Sequence, residues 1–193
     1  MIDPPRLVQT ATQPTAVIRL TIPRSEIRSV MGPGRAELMA ALRAQGIAPA
    51  GPWFSHHLRM HPGTFDFEIG VPVTGPVAAS GRVSSGHLPA VTAARAIYRG
   101  PYEGLGAAWP QLDAWIVAQG RVAGPSLWET YLTDPATSSD PATWQTELTR
   151  PLAELGRRSA GRTARPIGGR CLEKSVLFAS SCGSVRRCAT GYF

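Results

Sequence analysis

Ala44-Gln45-Gly46 returns as Ala118-Gln119-Gly120, and a few residues on Ala50-Gly51-Pro52 returns as Ala123-Gly124-Pro125. Farther along, Phe65-Asp66-Phe67-Glu68-Ile69-Gly70-Val71-Pro72-Val73 aligns with Trp144-Gln145-Thr146-Glu147-Leu148-Thr149-Arg150-Pro151-Leu152. An aromatic, a Glu before an aliphatic, and a Pro before an aliphatic fall at matching places. The three matches keep their order at offsets of 74, 73 and 79 residues, which marks a duplicated unit. The second copy has the longer loop before its last strand, the turn-rich Asp134-Pro135-Ala136-Thr137-Ser138-Ser139-Asp140-Pro141.

Working outward, each half reads strand, helix, strand, strand. VIRLTI at 17–22 alternates aliphatic and polar residues and is rich in β-branched side chains, a strand pattern. The segment 34–45 carries Leu38, Met39, Ala41 and Leu42 at helical spacing and stops at Gly46. Strands are predicted at 53–60 and 64–71, joined by the turn His61-Pro62-Gly63. In the second half a strand at 90–98 leads through Gly100-Pro101-Tyr102 into a helix at 105–119. Leu112, Trp115 and Ile116 lie on one side of that helix, and strands at 126–132 and 143–149 follow. The Gly-, Pro- and Ser-rich stretch 74–89 links the halves, with a short strand expected near Val83. The fold class is α+β: duplicated βαββ units build an antiparallel sheet with both helices on one face, and a ligand groove forms where the halves meet. The expected organisation is an N-terminal extension at 1–15, a domain at 16–152 with halves 16–73 and 83–152, and a tail at 153–193.

The formal net charge of +7 is misleading. Residues 1–154 hold 12 Arg against 12 Asp and Glu, whereas 155–193 hold seven Arg, one Lys and one Glu. The basic excess therefore belongs to the tail and is no argument for nucleic-acid binding by the domain. The tail is Arg-, Gly- and Ser-rich and is expected to be disordered. It also holds all three cysteines, Cys171, Cys182 and Cys188, so the domain itself is free of Cys, as suits a reducing compartment. The start lacks the charged and apolar regions of a signal peptide, and no apolar run approaches the roughly 20 residues of a membrane span. A cytoplasmic protein without membrane contact is expected.

Tyr98-Arg99-Gly100-Pro101-Tyr102, followed by Leu112, Trp115 and Gly120, resembles the second half of the GyrI-like (gyrase-inhibitor-like) small-molecule-binding domain. Trp128-Glu129-Thr130-Tyr131-Leu132-Thr133-Asp134-Pro135, Thr146-Glu147-Leu148 and Pro151-Leu152 continue the likeness, and the 65–73 segment fits its first half. The resemblance implies a duplicated βαββ fold. It also implies a role as the effector-binding part of AraC- and MerR-type regulators, as a stand-alone protein, or as a hydrolase of cyclopropane-bearing natural products. The 15 or so residues before Val17 leave no room for a helix-turn-helix, so the expectation is a stand-alone binding domain without sequence-specific DNA contact. DNA gyrase or a separate regulator are the protein partners the resemblance suggests.

In the strand at 126–132, alternation puts Leu127, Glu129 and Tyr131 on one face. A carboxylate on a half-buried face needs a cation or hydrogen bonds, and an aromatic neighbour adds cation–π attraction for a lipophilic cation. The Glu of the family's WE-x-Y segment is a pocket residue, which the resemblance carries to Glu129. A solvent-facing Glu matched by an Arg is the other reading of the pattern. The repeat maps Leu127, Glu129 and Tyr131 onto Phe54, His56 and Leu58, so His56 is expected to face Glu129 across the groove as an ion-pair or proton-transfer partner. A surface position for the His56-His57 pair is the alternative. Tyr98 and Tyr102 flank the turn that borders the family's pocket. The expected ligand-binding set is Glu129, Tyr131, Leu127, Phe54, His56, Tyr98 and Tyr102. Trp109 and Trp115 are assigned to core packing, and Glu68 and Glu147 to the less buried sheet face.

No metal or cofactor is expected. Neighbouring His residues on a strand point to opposite faces, and the four histidines lack ligand spacing. Neither a Gly-x-Ser-x-Gly elbow nor a Cys nucleophile occurs in the domain. The residues permit one enzymatic scheme, water addition to a strained electrophile with Glu129 as base and Tyr131 or Tyr102 as acid. Three functions follow for testing: binding of lipophilic, including cationic, small molecules; that hydrolysis; and a protein-interaction role like gyrase inhibition.

Overall fold

The structure, a computed structural model, describes residues 2–133 and 138–153. The tail expected to be disordered lies outside the described residues. In chain order the elements are β1 (Arg6–Gln9), β2 (Gln13–Pro23), α1 (Ile27–Ala44), β3 (Phe54–His61), β4 (Thr64–Pro72), β5 (Val83–Leu88), β6 (Thr92–Arg99), α2 (Leu105–Ala118), β7 (Leu127–Tyr131) and β8 (Gln145–Pro151). All strands join one antiparallel sheet in the order β1-β6-β8-β7-β3-β4-β2-β5. That order is symmetric under the repeat. β3 and β7 meet at the centre, and β4 with β8, β2 with β6, and β5 with β1 follow outward on either side.

The first 15 residues, expected outside the domain, supply β1, which pairs with β6 from Arg6↔Arg95 to Gln9↔Thr92. β5, from the linker, pairs with β2 in the same way. Each half thus lends its leading strand to the outer edge of the other, satisfying backbone groups that an open edge would expose.

The helices differ from expectation at one end only. α1 begins at Ile27 rather than 34, because the chain stays helical through Gly32-Pro33-Gly34. Both helices end alike: Gly46 and Gly120 each take φ 66°, the left-handed turn that closes a helix. The next N–H folds back to an earlier carbonyl in each copy, Ile47 to Leu42 and Arg121 to Ile116.

Leu38 and Leu42 of α1 bury completely against Ala16, Ile18, Val71 and Val83, and Leu112 and Ile116 of α2 do so against Ala94, Ala96 and Leu148. Each such side chain contributes about 1.5–3 kcal/mol by leaving water. Following the register across the sheet, Ile18, Ile69, Ser55, Glu129, Leu148 and Ala96 form one row on the helix-bearing face. The row is apolar beneath each helix and polar in the middle. α1 packs over β2, β4 and β5 and α2 over β6, so the two central strands lie between the helices.

One register expectation is corrected. Ala50 N–H donates to Pro72 O, and Gly124 N–H donates to Pro151 O; Pro49 bridges Val73 as Ala123 bridges Leu152. Ala50 therefore corresponds to Gly124, not to Ala123, and the 74-residue offset of the helices runs on through β3 and β7. Ser55 becomes the counterpart of Glu129, and His57 that of Tyr131. The Ala-Gly-Pro match was one residue out of step, and a one-residue slip turns every side chain of a strand to the other face.

Candidate functional site

Glu129 stands on β7 directly across from Ser55 on β3, at the sheet centre, and is only 9% exposed. Its Oε1 accepts from Trp109 Nε1–H at 2.8 Å and its Oε2 accepts from the Tyr131 hydroxyl at 2.9 Å. The Tyr131 oxygen lies 3.0 Å from Ser55 Oγ, which is 3.5 Å from His57 Nε2. Because the Tyr131 proton is committed to Glu129, Ser55 is the donor toward Tyr131. The hydrogen bonds thus run from Ser55 through Tyr131 to the carboxylate.

Burial pushes the Glu129 carboxyl above its ordinary value, while hydrogen bonds from Trp109 and then Tyr131 pull it back toward the anion. Burial, and then the charge of Glu129, push the Tyr131 phenol well up, which keeps it a donor. His57 moves the other way: burial first, then the charges of His56 and Arg24, lower it to about 4. Near neutral pH the site therefore contains a neutral imidazole and one strained acid. The donors bonded to that acid, an indole and a phenol, are themselves uncharged, so the carboxyl when ionised has no counter-charge among its hydrogen-bond donors.

Aromatic rings surround this centre. Trp53 stacks on Tyr131 with centroids 4.1 Å apart, Tyr102 meets Tyr131 edge-on at 5.4 Å, and Trp144 lies 4.8 Å from Tyr102. A cleft of about 190 Å³ opens beside the Trp53–Tyr131 stack, with Met39, Pro52, Val71 and Leu132 among its walls. The Arg35 guanidinium lies over Trp53, 5.3 Å from the ring centroid.

The structure brings together Glu129, Tyr131 and Leu127 on one face, and Tyr102 joins them through Tyr131. Three expected pocket residues lie elsewhere. Phe54 and His56 are on the opposite sheet face, since they pair with Thr130 and Trp128 rather than with residues of the Glu129 face. Phe54 lies over Gly70, where an added Cβ would come within 2.3 Å of its ring. His56 meets Trp128 edge-on at 5.5 Å, and its Nδ1 is 3.6 Å from Glu68. Its ionic neighbour is therefore Glu68 and not Glu129. Tyr98 is a core residue: its hydroxyl donates to Pro101 O at 2.9 Å, in a space that only the missing side chains of Gly100 and Gly104 leave open.

Sequence reading missed Trp109, Trp53, Ser55, His57 and Trp144. An unbroken 74-residue offset would have found Ser55 and His57. Trp109 gave no such signal, because a Trp at helical spacing beside Leu112 reads as core. Among the described residues no three His, Cys, Asp or Glu gather as a metal site, and no helix is long and apolar enough to cross a membrane.

Residues 3–153 match the GyrI-like small molecule binding domain family. No curated protein matches the chain. Among solved structures, the EcmrR C-terminal domain is 23% identical with a TM-score of 0.69, over 79% of this chain and 98% of that one. EcmrR in a complex with DNA is 23% identical with a TM-score of 0.68, over 77% of this chain, which spans 57% of the EcmrR chain. SAV2435 bound to tetraphenylphosphonium is 13% identical with a TM-score of 0.57, over 81% of this chain and 98% of that one. At these identities the likeness is one of fold, and it agrees with the eight-stranded antiparallel sheet and two helices described above. The chain belongs to the GyrI-like small-molecule-binding domain family.

Proposed function

We propose that the domain binds lipophilic, cationic small molecules in the groove between α1 and α2, as a cytoplasmic effector-sensing or sequestering module. The observation that carries this reading is a buried carboxylate, Glu129, held by two neutral donors beside stacked aromatic rings. A buried acid of this kind costs folding free energy unless a counter-charge arrives, and an aromatic cation brings both the charge and apolar surface. The tetraphenylphosphonium bound to SAV2435 is a ligand of that chemistry on the same fold. Thermal-shift measurements with a panel of aromatic cations test the reading. At least one compound is expected to raise the melting temperature of the wild type and to lose that effect with Glu129→Gln. A panel without any shift overturns it.

A second reading, hydrolysis of strained alkylating compounds, is favoured by one feature: the Tyr131 hydroxyl touches Glu129 directly, a phenol beside an acid whose proton affinity burial has raised. It predicts product formation from a cyclopropane-bearing substrate, lost in both Glu129→Gln and Tyr131→Phe. Ligand binding without turnover leaves the first reading standing alone.

A further inference from the structure

The buried acid of the second half is tied to two polar residues of the first. Ser55 and His57 lie on β3, two positions apart on the face that carries Glu129, and both are buried. Their link to the carboxyl runs through the Tyr131 hydroxyl, with Ser55 Oγ 3.0 Å on one side and Glu129 Oε2 2.9 Å on the other. His57 Nε2 follows Ser55 Oγ at 3.5 Å. The other ring nitrogen, Nδ1, is buried without a hydrogen-bond partner among the described residues; the ring stacks on Phe67 and meets Phe65 edge-on.

That placement fixes the order of the protons. The imidazole is neutral near pH 7, so one of its nitrogens carries a proton. An N–H at Nδ1 finds no acceptor in its apolar surroundings, so the proton belongs on Nε2, where Ser55 Oγ receives it. Ser55 then donates to Tyr131, and Tyr131 to Glu129. Three bonds in a row point at the carboxyl, and bonds aligned in one sense polarise one another. Protonating Glu129 on Oε2 works against this order. The Tyr131 proton then loses its acceptor, or the whole chain reverses and drives the imidazole proton to Nδ1, where nothing accepts it. The titratable groups around Glu129 are Tyr131 on its own strand, His57 on β3, Tyr102 before α2, and Arg35 on α1 over Trp53. β8 places Leu148 beside it, and Arg150 of β8 pairs with Asp113 of α2 at 3.3 Å.

We infer that Ser55 and His57 are positioning residues that hold Glu129 in its ionised form through Tyr131, and so set the pH range in which the groove accepts a cation. The functional consequence rests on the binding function proposed above; the effect on the acid itself is read without a ligand. By NMR, the side-chain carboxyl carbon resonance that Glu129→Gln removes is followed through a pH titration. Its midpoint is expected to move upward in Ser55→Ala and in His57→Phe, and to stay in place in Ser55→Thr, which keeps the hydroxyl. If Ser55→Ala does not fold, His57→Phe, which keeps a ring between Phe65 and Phe67, carries the test.

Tetraphenylphosphonium, a cation that does not itself titrate, supplies the second readout. Ser55→Ala should bind it about threefold more weakly than wild type on the acid side of the midpoint and equally well on the alkaline side. Unmoved midpoints in the folded variants, or a loss of affinity that is the same at every pH, overturn the positioning role. Midpoints that move as expected, in a wild type that does not bind tetraphenylphosphonium, count against the binding function and leave the positioning role in place.

Discussion

The two halves share a scaffold and differ where they face each other. Leu38 and Leu112, and Leu42 and Ile116, are equivalent and equally buried. Gly46 and Gly120 close their helices with the same φ. In the groove the equivalences break down: Ser55 stands for Glu129, His57 for Tyr131 and Arg35 for Trp109. One half contributes the acid and its two donors, the other a small hydroxyl, a neutral imidazole and a cation. Duplication supplied two copies of every groove position, and only the second copy placed an acid there. The apolar positions are held alike by packing, which tolerates little change in volume. The central positions Ser55, Glu129, His57 and Tyr131 are buried as well, but they are joined by hydrogen bonds rather than by apolar packing alone.

Several measurements can break or sharpen this comparison. If the scaffold halves are equivalent, Leu38→Ala and Leu112→Ala each cost about 2–5 kcal/mol in chemical denaturation, within the range for buried leucines. A cost confined to one of them would show that the halves are not energetic equals. His57 provides a pH signature. The folded protein holds its imidazole neutral down to about 4, whereas the unfolded chain protonates it near its ordinary value of 6.5. Stability contributed by this group is therefore intact above pH 6.5 and falls as pH drops from there toward 4, by about 3 kcal/mol over that window. Glu129, displaced upward, works in the opposite sense: its cost is present at neutral pH and is relieved as acid protonates it. Comparing wild type with His57→Gln isolates the imidazole; the acid-side loss should be reduced by most of that amount, and an unchanged pH profile would refute it.

A smaller effect is expected at Trp109. Trp109→Phe removes the N–H that helps hold Glu129 as an anion, worth about 1.5–3 kcal/mol for a bond to a charged group. Binding of an aromatic cation should weaken about tenfold at neutral pH and recover as pH rises, because Glu129 ionises later. Weakening that is the same at all pH values would reduce Trp109 to a wall of the cleft.

Much of the fold could be read from the sequence because the repeat carries it. Ala44-Gln45-Gly46 and its copy located both helix ends, and alternation in 17–22 placed β2. What could not be read was the face of β3 and β7. These strands sit at the sheet centre, where Phe54, Ser55, His56 and His57 are all buried, so no apolar alternation distinguishes one face from the other. The register then hung on a three-residue match in a loop, and Phe54 and His56 were put on the wrong side. Leu127, Glu129 and Tyr131 were placed together because their spacing, unlike the cross-repeat mapping, needs no alignment. β1 was missed because an edge strand of four largely exposed residues leaves little pattern in its side chains.

Titration calorimetry with tetraphenylphosphonium at neutral pH, on wild type and Glu129→Gln, tests the central role of the buried acid most directly. Saturable binding by the wild type, weakened at least tenfold in Glu129→Gln while its melting temperature is unchanged or higher, is the predicted result. Relief of a buried charge accounts for the second part. Equal affinity in the two proteins would contradict it and leave Glu129 without a part in binding.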